Sequence, residues 1–163
     1  MTTKDLPHVA VPELPIEGGC QCGNLRYRVT EVPVTCYACH CTLCQKQSGS
    51  AFGSSLQVPA DGVDLSGPSE VYLRKGGSGQ TMVCVFCPSC GGSVVHRRQG
   101  GNVVVIKPGT LDDRSWLVPA GHIFTATKQP WVKLGEADGL LFEDVPDMDA
   151  LKERWRAMTA EAG

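Results

Sequence analysis

The sequence predicts a mainly β fold, and three observations carry that expectation. From Asn24 onward apolar and basic residues alternate: Leu25, Tyr27 and Val29 fall on one side, Arg26 and Arg28 on the other. That period of two marks a half-buried strand. Short apolar runs then follow one another, separated by turn residues. Only two segments carry helical spacing.

Taken in order, strands are expected at Val34–Ala38, Phe52–Val58, Glu70–Arg74, Gln80–Phe86, Ser93–Arg98 and Asn102–Ile106, with further ones at His122–Ala126 and Trp131–Leu134. The punctuation between them is Asp61-Gly62, Ser66-Gly67-Pro68, Gly76-Gly77-Ser78-Gly79 and Gly100-Gly101. The last pair reads as the loop of a hairpin. A short helix is expected after Cys44. A C-terminal one is expected from Met148 to about Met158, where Met148, Leu151, Trp155 and Met158 share a face and Asp147 can cap the start. No fixed-period repeat and no low-complexity tract interrupts the chain. The organisation expected is a flexible leader over residues 1–16, a β domain over 17–146, and a helical extension over 147–163. Pro7, Pro12, Pro15, Gly18 and Gly19 suggest the leader. Trp116, Trp131 and Trp155 are read as core or lid packing.

A chain of 163 residues fits one domain with a real core. The formal net charge is -2, from 15 basic and 17 acidic residues, and no basic block stands out. Nucleic acid and anionic membrane are therefore not expected partners. Met1–Pro15 lacks the apolar run of a signal peptide, and no stretch is long and apolar enough for a bilayer span. The expectation is a cytoplasmic protein whose thiols stay reduced.

Nine cysteines then dominate the reading, and their odd number forbids complete intrachain pairing. In a reducing compartment such clusters point to metal binding or chemistry. Cys20-Gln21-Cys22 follows two glycines, and Cys87-Pro88-Ser89-Cys90 precedes two more. Each pair can give two thiolates to one ion, and a closed tetrahedral zinc needs four. Cys20, Cys22, Cys87 and Cys90 are accordingly expected to form one structural site. A Cys-x-x-Cys pair also serves thioredoxin-like redox chemistry, but that reading requires a βαβ context. Pairing of Cys84 with Cys87 is a further alternative. Cys84 shares a strand face with Met82 and Phe86 and reads as core.

Cys39, Cys41 and Cys44 offer three thiolates from a compact loop, leaving a fourth position open as catalytic zinc sites do. The residues alone leave open whether Cys36 or His40 closes this site. Cys36 lies on one face with Val32, Val34 and Ala38, and reads as a small core residue. Zinc with three thiolates carries a net charge near -1, which suits holding a thiol better than splitting an amide.

These stretches resemble the glutathione-dependent formaldehyde-activating enzymes, relatives of centromere protein V. The likeness rests on Gly19-Cys20-Gln21-Cys22-Gly23, on Cys39-His40-Cys41-x-x-Cys44 with Gln47-Ser48-Gly49-Ser50-Ala51-Phe52, and on Phe86-Cys87-x-x-Cys90-Gly91. It continues through Gly109-Thr110-Leu111-Asp112-Asp113, His122-Ile123-Phe124-Thr125 and Lys128-x-Pro-Trp131, and so spans Glu17–Pro146. The resemblance implies a small zinc-bearing β fold of β-tent type. It implies a structural zinc on Cys20, Cys22, Cys87 and Cys90 and a second, catalytic zinc on Cys39, Cys41 and Cys44. The implied activity is that of a carbon–sulfur lyase working in reverse, in which glutathione adds to formaldehyde to give S-hydroxymethylglutathione. His122 is the candidate proton donor by its place in the matched segment. His40 is expected to face away from the ion, and His96 to be structural. Lys46, Arg97, Arg98 and Lys107 are cations able to pair with a substrate carboxylate. The alternative is a non-catalytic zinc β-domain that binds a protein or a small thiol.

Overall fold

A computed structural model describes residues 6–76 and 79–160. Residues 77 and 78 of the expected Gly76–Gly79 loop lie outside the described residues, as do residues 1–5. Eleven strands and two α-helices order the described chain, which divides into two compact units.

The first unit holds Val34–Ser55 and the chain from Trp116 onward, together with the segment up to Val11. Its strands are β3 (Thr35–Cys39), β10 (Gly121–Ile123) and β11 (Leu140–Leu141). β10 pairs in parallel with both β3 and β11, with His122 opposite Ala38 and Ile123 opposite Cys39. All five residues of β3 are buried, so this strand is covered on both faces. The alternation expected from Val32 does not hold: Val32 is 62% exposed, because it precedes the strand.

Helix α2 (Met148–Thr159) packs on β3. The Asp147 carboxylate accepts from the Asp149 and Ala150 amides, as the capping pattern requires. Leu151, Trp155 and Met158 are buried, and the Thr35 hydroxyl donates to the Leu151 carbonyl at 3.2 Å. The helix is thus part of this unit's core. Trp155 lies 6.4 Å from Trp116, ring to ring, and both are buried, whereas Trp131 is 71% exposed. Trp131–Leu134 is not a strand. Gln129–Val132 closes a turn instead, with Val132 N donating to the Gln129 carbonyl at 3.0 Å and Pro130 at the position where a turn favours it, and Lys133 turns back to donate to the Pro130 carbonyl. Within the expected leader, Val9 is buried and its amide donates to the Met158 carbonyl at 2.8 Å. Among the described residues before Ile16 there is no helix or strand, and the buried Val9 anchors that segment.

The second unit holds Pro12–Pro33 and Leu56–Ser115. One of its sheets has the order β1-β2-β5, formed by β1 (Ile16–Gly19), β2 (Arg26–Val29) and β5 (Val63–Ser66). β1 begins at Ile16, the last residue of the expected leader, and neither β1 nor β5 was foreseen. Leu25, Tyr27 and Val29 are buried as the alternation predicts. The other sheet runs β4-β9-β8-β7-β6, from β4 (Gly53–Pro59), β9 (Val103–Ile106), β8 (Ser93–Arg98), β7 (Thr81–Phe86) and β6 (Glu70–Lys75). Strand β4 begins in the first unit and pairs with β9 through Leu56–Pro59. Gly100-Gly101 is the β8–β9 hairpin loop as expected, with Gly100 at φ 72. Among the described residues no helix is long and apolar enough to cross a membrane.

Candidate metal centres

Two hairpin ends of the second unit bring four thiols together. β1 runs into Cys20, and the chain turns through Cys22 and Gly23 into β2. β7 ends at Phe86, and Cys87–Gly92 forms its turn into β8. Each loop folds its amides inward. Gly23 N donates to the Cys20 carbonyl, Gly91 N to the Cys87 carbonyl at 2.8 Å, and Leu25 N to Cys20 Sγ at 3.3 Å. Gly91 sits at φ 72, a conformation a side chain would strain. The four sulfurs of Cys20, Cys22, Cys87 and Cys90 lie within 4.8 Å of one another. Cys20 and Cys22 are 3.5 Å apart, and Cys22 and Cys87 are 3.7 Å apart. A tetrahedron of sulfurs about 2.3 Å from a zinc has edges of roughly 3.8 Å, so the donor set fits that ion.

Crowding of sulfurs also splits their acidities. Burial pushes the Cys20 thiol up, but the Leu25 amide and the neighbouring thiols outweigh it and bring the pKa down to about 6. The Asn24 amide favours the Cys22 thiolate, yet Cys20 and burial dominate and push Cys22 up to about 12. Hydrogen bonds from the Cys22 and Gly92 amides hold Cys90 below its ordinary value. Neighbouring thiols whose acidities are driven apart, as for Cys20 and Cys22, are the arrangement a cation relieves.

β1 is itself clamped. Leu111 bridges to Gly18, and the Asp112 amide donates to the Glu17 carbonyl. Arg26 holds the Asp112 carboxylate in a two-bond ion pair, while the hydroxyls of Tyr27 and Thr110 lie 2.8 Å apart. A Cβ on Gly18 would collide with the Tyr27 hydroxyl and lie 2.6 Å from the Thr110 carbonyl, so only glycine fits. The Gly109–Asp113 motif thereby fixes the strand that delivers Cys20.

The second cluster belongs to the first unit. β3 delivers Cys39, and helix α1 (Thr42–Ser48) starts at Thr42, before Cys44 rather than after it. The reason is the cap: Cys41 Sγ accepts the Cys44 amide at 3.4 Å, in the role a serine oxygen plays elsewhere. The sulfurs of Cys39, Cys41 and Cys44 lie within 4.8 Å of one another. Cys39 is buried, while Cys41 and Cys44 are partly exposed. Interaction with Cys44, then burial, pushes the Cys39 thiol well above its ordinary range. Neither Cys36 nor His40 joins this group. Cys36 is buried, and burial pushes its thiol up to about 12. Cys84, fully buried, stands outside the four-sulfur cluster.

His40, between two of the thiols, turns its Nε2 to His122 Nδ1 at 2.9 Å. Their rings, 5.2 Å apart, pack with Phe52, which lies 5.2 Å from His40 and edge-on to His122 at 6.4 Å. Burial, with His122 and Lys128 nearby, brings His40 down to about 4, and burial lowers His122 as well. Both imidazoles are therefore neutral near pH 7. His96 is buried on β8 in the second unit. Of the candidate cations, Lys46, Arg97 and Arg98 are exposed and Lys107 is half-buried.

Gln45 was not singled out by the sequence reading. Its amide nitrogen donates to the carbonyls of His40 (2.7 Å) and Thr127 (2.8 Å), and its oxygen accepts from Gln129 at 2.6 Å. Thr127 Oγ1 also donates to the His40 carbonyl. These bonds hold the Cys39–Cys44 loop against the turn after His122. That turn contains Phe124 at φ 55, a non-glycine residue in the left-handed region. Nothing in the spacing of Gln45 marks it; its only signal is its place directly after one of the clustered cysteines.

The family model for the glutathione-dependent formaldehyde-activating enzyme matches residues 15–127, well over half of the chain. No curated protein matches the chain. A crystal structure of a Rhodobacter sphaeroides protein matches with a TM-score of 0.48 and 18% identity, covering 60% of this chain and 88% of that one. Likeness at that level fixes neither activity nor ligand.

Proposed function

The chain belongs to the family of glutathione-dependent formaldehyde-activating enzymes, and from that premise we propose a zinc-dependent carbon–sulfur lyase-type enzyme. Its substrate is a thiol–aldehyde adduct such as S-hydroxymethylglutathione, formed from glutathione and formaldehyde. The observation that carries the reading is the three-sulfur cluster of Cys39, Cys41 and Cys44, in which two members are reached by solvent. Four sulfurs at Cys20, Cys22, Cys87 and Cys90 could supply a full tetrahedral set and would suit a structural zinc; three would leave a position for substrate. Zinc on the three-sulfur cluster would supply Lewis-acid stabilisation of a thiolate or of the aldehyde oxygen.

The rest of the chemistry falls to the chain. Addition forms one sulfur–carbon bond, opens the carbonyl π bond onto oxygen, and moves the thiol proton to that oxygen; cleavage runs the same steps backwards. His122 is assigned the proton. It is neutral near pH 7, so one nitrogen can hold a proton while the other accepts one, and the 2.9 Å bond to His40 fixes its ring. Gln45 keeps the ligand loop in register with that pair.

The test is exchange NMR on glutathione, formaldehyde and their adduct at neutral pH. The wild-type protein should accelerate exchange above the spontaneous rate, and Cys41→Ala should abolish the acceleration. His122→Asn should lower it by roughly 10²-fold while leaving the metal content intact. Metal-loaded wild-type protein that gives no acceleration would overturn the enzymatic reading in favour of a thiol-binding module.

A further inference from the structure

Strand β6 is the open end of its sheet, pairing with β7 alone among the described residues. Its sequence is Glu70-Val71-Tyr72-Leu73-Arg74-Lys75. An edge strand exposes unpaired backbone groups, and natural chains usually blunt such edges with charge. Here the edge carries Glu70 near one end and Arg74 and Lys75 near the other.

The hydrogen-bond phase of the edge can be read from its neighbours. Gly76 N donates to the Gln80 carbonyl at 2.8 Å. Counting back by twos along the antiparallel register, Arg74, Tyr72 and Glu70 make the hydrogen-bonded pairs with Met82, Cys84 and Phe86. The Gln99 amide, bonded to the Thr81 carbonyl, confirms that Thr81 turns its backbone the other way, toward β8. Val71, Leu73 and Lys75 therefore aim their N–H and C=O groups at the open side.

Two copies joined edge to edge by a two-fold axis must pair antiparallel, with the axis normal to the sheet. Residues of the same face then meet, and only registers whose paired numbers have an even sum are allowed. Centred on Tyr72, the pairing sets Val71 opposite Leu73 of the second copy as the hydrogen-bonded pairs, in phase with the outward backbone groups. Glu70 then stands opposite Arg74 of the second copy, twice by symmetry, and Tyr72 meets Tyr72. These fall at the non-hydrogen-bonded positions, where side chains approach most closely. The next register, centred on Leu73, sets Lys75 against Val71 and makes no ion pair. On the other face Val71 and Leu73, 56% and 64% exposed, lie across from Val85 and Val83 of β7. Joining two copies doubles this apolar strip.

We propose that β6 is a homodimerisation edge, its occupant a second copy of this chain in the Tyr72-centred register. A monomer would leave this strip and the outward backbone groups of Val71 and Leu73 in water, the Lys75 carbonyl accepting from Arg74 Nη1 at 3.5 Å. The arrangement is isologous, as a closed two-fold dimer requires.

Sedimentation velocity on the full-length, metal-loaded protein across micromolar to millimolar concentration tests it. The wild type should show a monomer–dimer equilibrium. Glu70→Arg and Arg74→Glu each replace two attractions by two repulsions, and each should weaken the dimer by about tenfold or more. An equimolar mixture of the two variants should recover dimer, because every 70–74 contact is then of opposite charge. The double variant E70R/R74E should recover it alone. Should Arg74→Glu fail to fold, Leu73→Lys at an exposed position gives the same decision: loss of dimer supports the edge, and an unchanged dimer overturns it. A wild type that stays monomeric at millimolar concentration also overturns it, as does a mixture that fails to associate.

Discussion

Gln45 offers the sharpest single-residue test of how the three-sulfur loop is held. Gln45→Ala removes three hydrogen bonds of 2.6 to 2.8 Å, to His40, Thr127 and Gln129. At about 1 kcal/mol each they sum to about 3 kcal/mol. The Thr127 hydroxyl still satisfies the His40 carbonyl, and water reaches this partly exposed side chain, so a net loss of about 2 kcal/mol is expected. For a chain of this length that lowers Tm by about 4–8 °C. Loosening of the loop should also weaken metal binding at the second cluster by roughly tenfold. Thermal unfolding followed by circular dichroism, with metal titration, gives both numbers. Gln45→Glu is the control: it keeps the acceptor for Gln129 but sets a carboxylate against two carbonyls, and should be at least as damaging as alanine. A Tm within about 2 °C of wild type for Gln45→Ala, or rescue by Gln45→Glu, would refute the clamp.

Further expectations concern stability. Trp155→Ala should cost about 3–5 kcal/mol in denaturant unfolding, because a buried indole is removed; Trp131→Ala, at an exposed position, should stay within about 0.5 kcal/mol. His96 has a pKa brought down to about 3 by burial, with Lys107 and Arg74 adding to it. The unfolded chain, titrating near pH 6.5, binds the extra proton, so this contribution is full above that pH and is lost as pH falls toward 3. Between pH 7 and pH 5 the wild type should lose up to about 2 kcal/mol more stability than His96→Gln, and equal losses would contradict the burial of a neutral imidazole.

Much of this was legible in the residues, and the gaps have physical reasons. The β7–β8 and β8–β9 hairpins announce themselves, since alternation and turn glycines are local signals. Both thiol clusters could be named because close spacing limits where a sulfur can go. β1 was missed because its pattern, Ile16-Glu17-Gly18-Gly19, has one strong apolar residue and two glycines. Gly18 is there to admit the Tyr27 hydroxyl, a requirement set 9 residues away and visible only once the strands pair. The expected strand at Trp131 failed because Pro130 sets a turn over Gln129–Val132, which β-forming composition does not outweigh. Helix α1 began early because a cysteine took the capping role usually read from serine, threonine or aspartate. The His40–His122 contact joins residues 82 apart, and its cause is the parallel pairing of β10 with β3, which no local period encodes.

Two thiol clusters of four and three sulfurs, proposed to hold zinc with different coordination, make zinc per chain on protein purified without added metal the most direct measurement. Wild type, Cys90→Ala and Cys41→Ala should be compared, using the two thiol clusters as the reference. About two zincs are expected for the wild type and about one for Cys41→Ala, which should stay folded on the four-sulfur site; Cys90→Ala should lose stability along with its zinc. A wild type holding a single zinc, unchanged in Cys41→Ala, would contradict the catalytic centre and leave a thiol-cluster scaffold in its place.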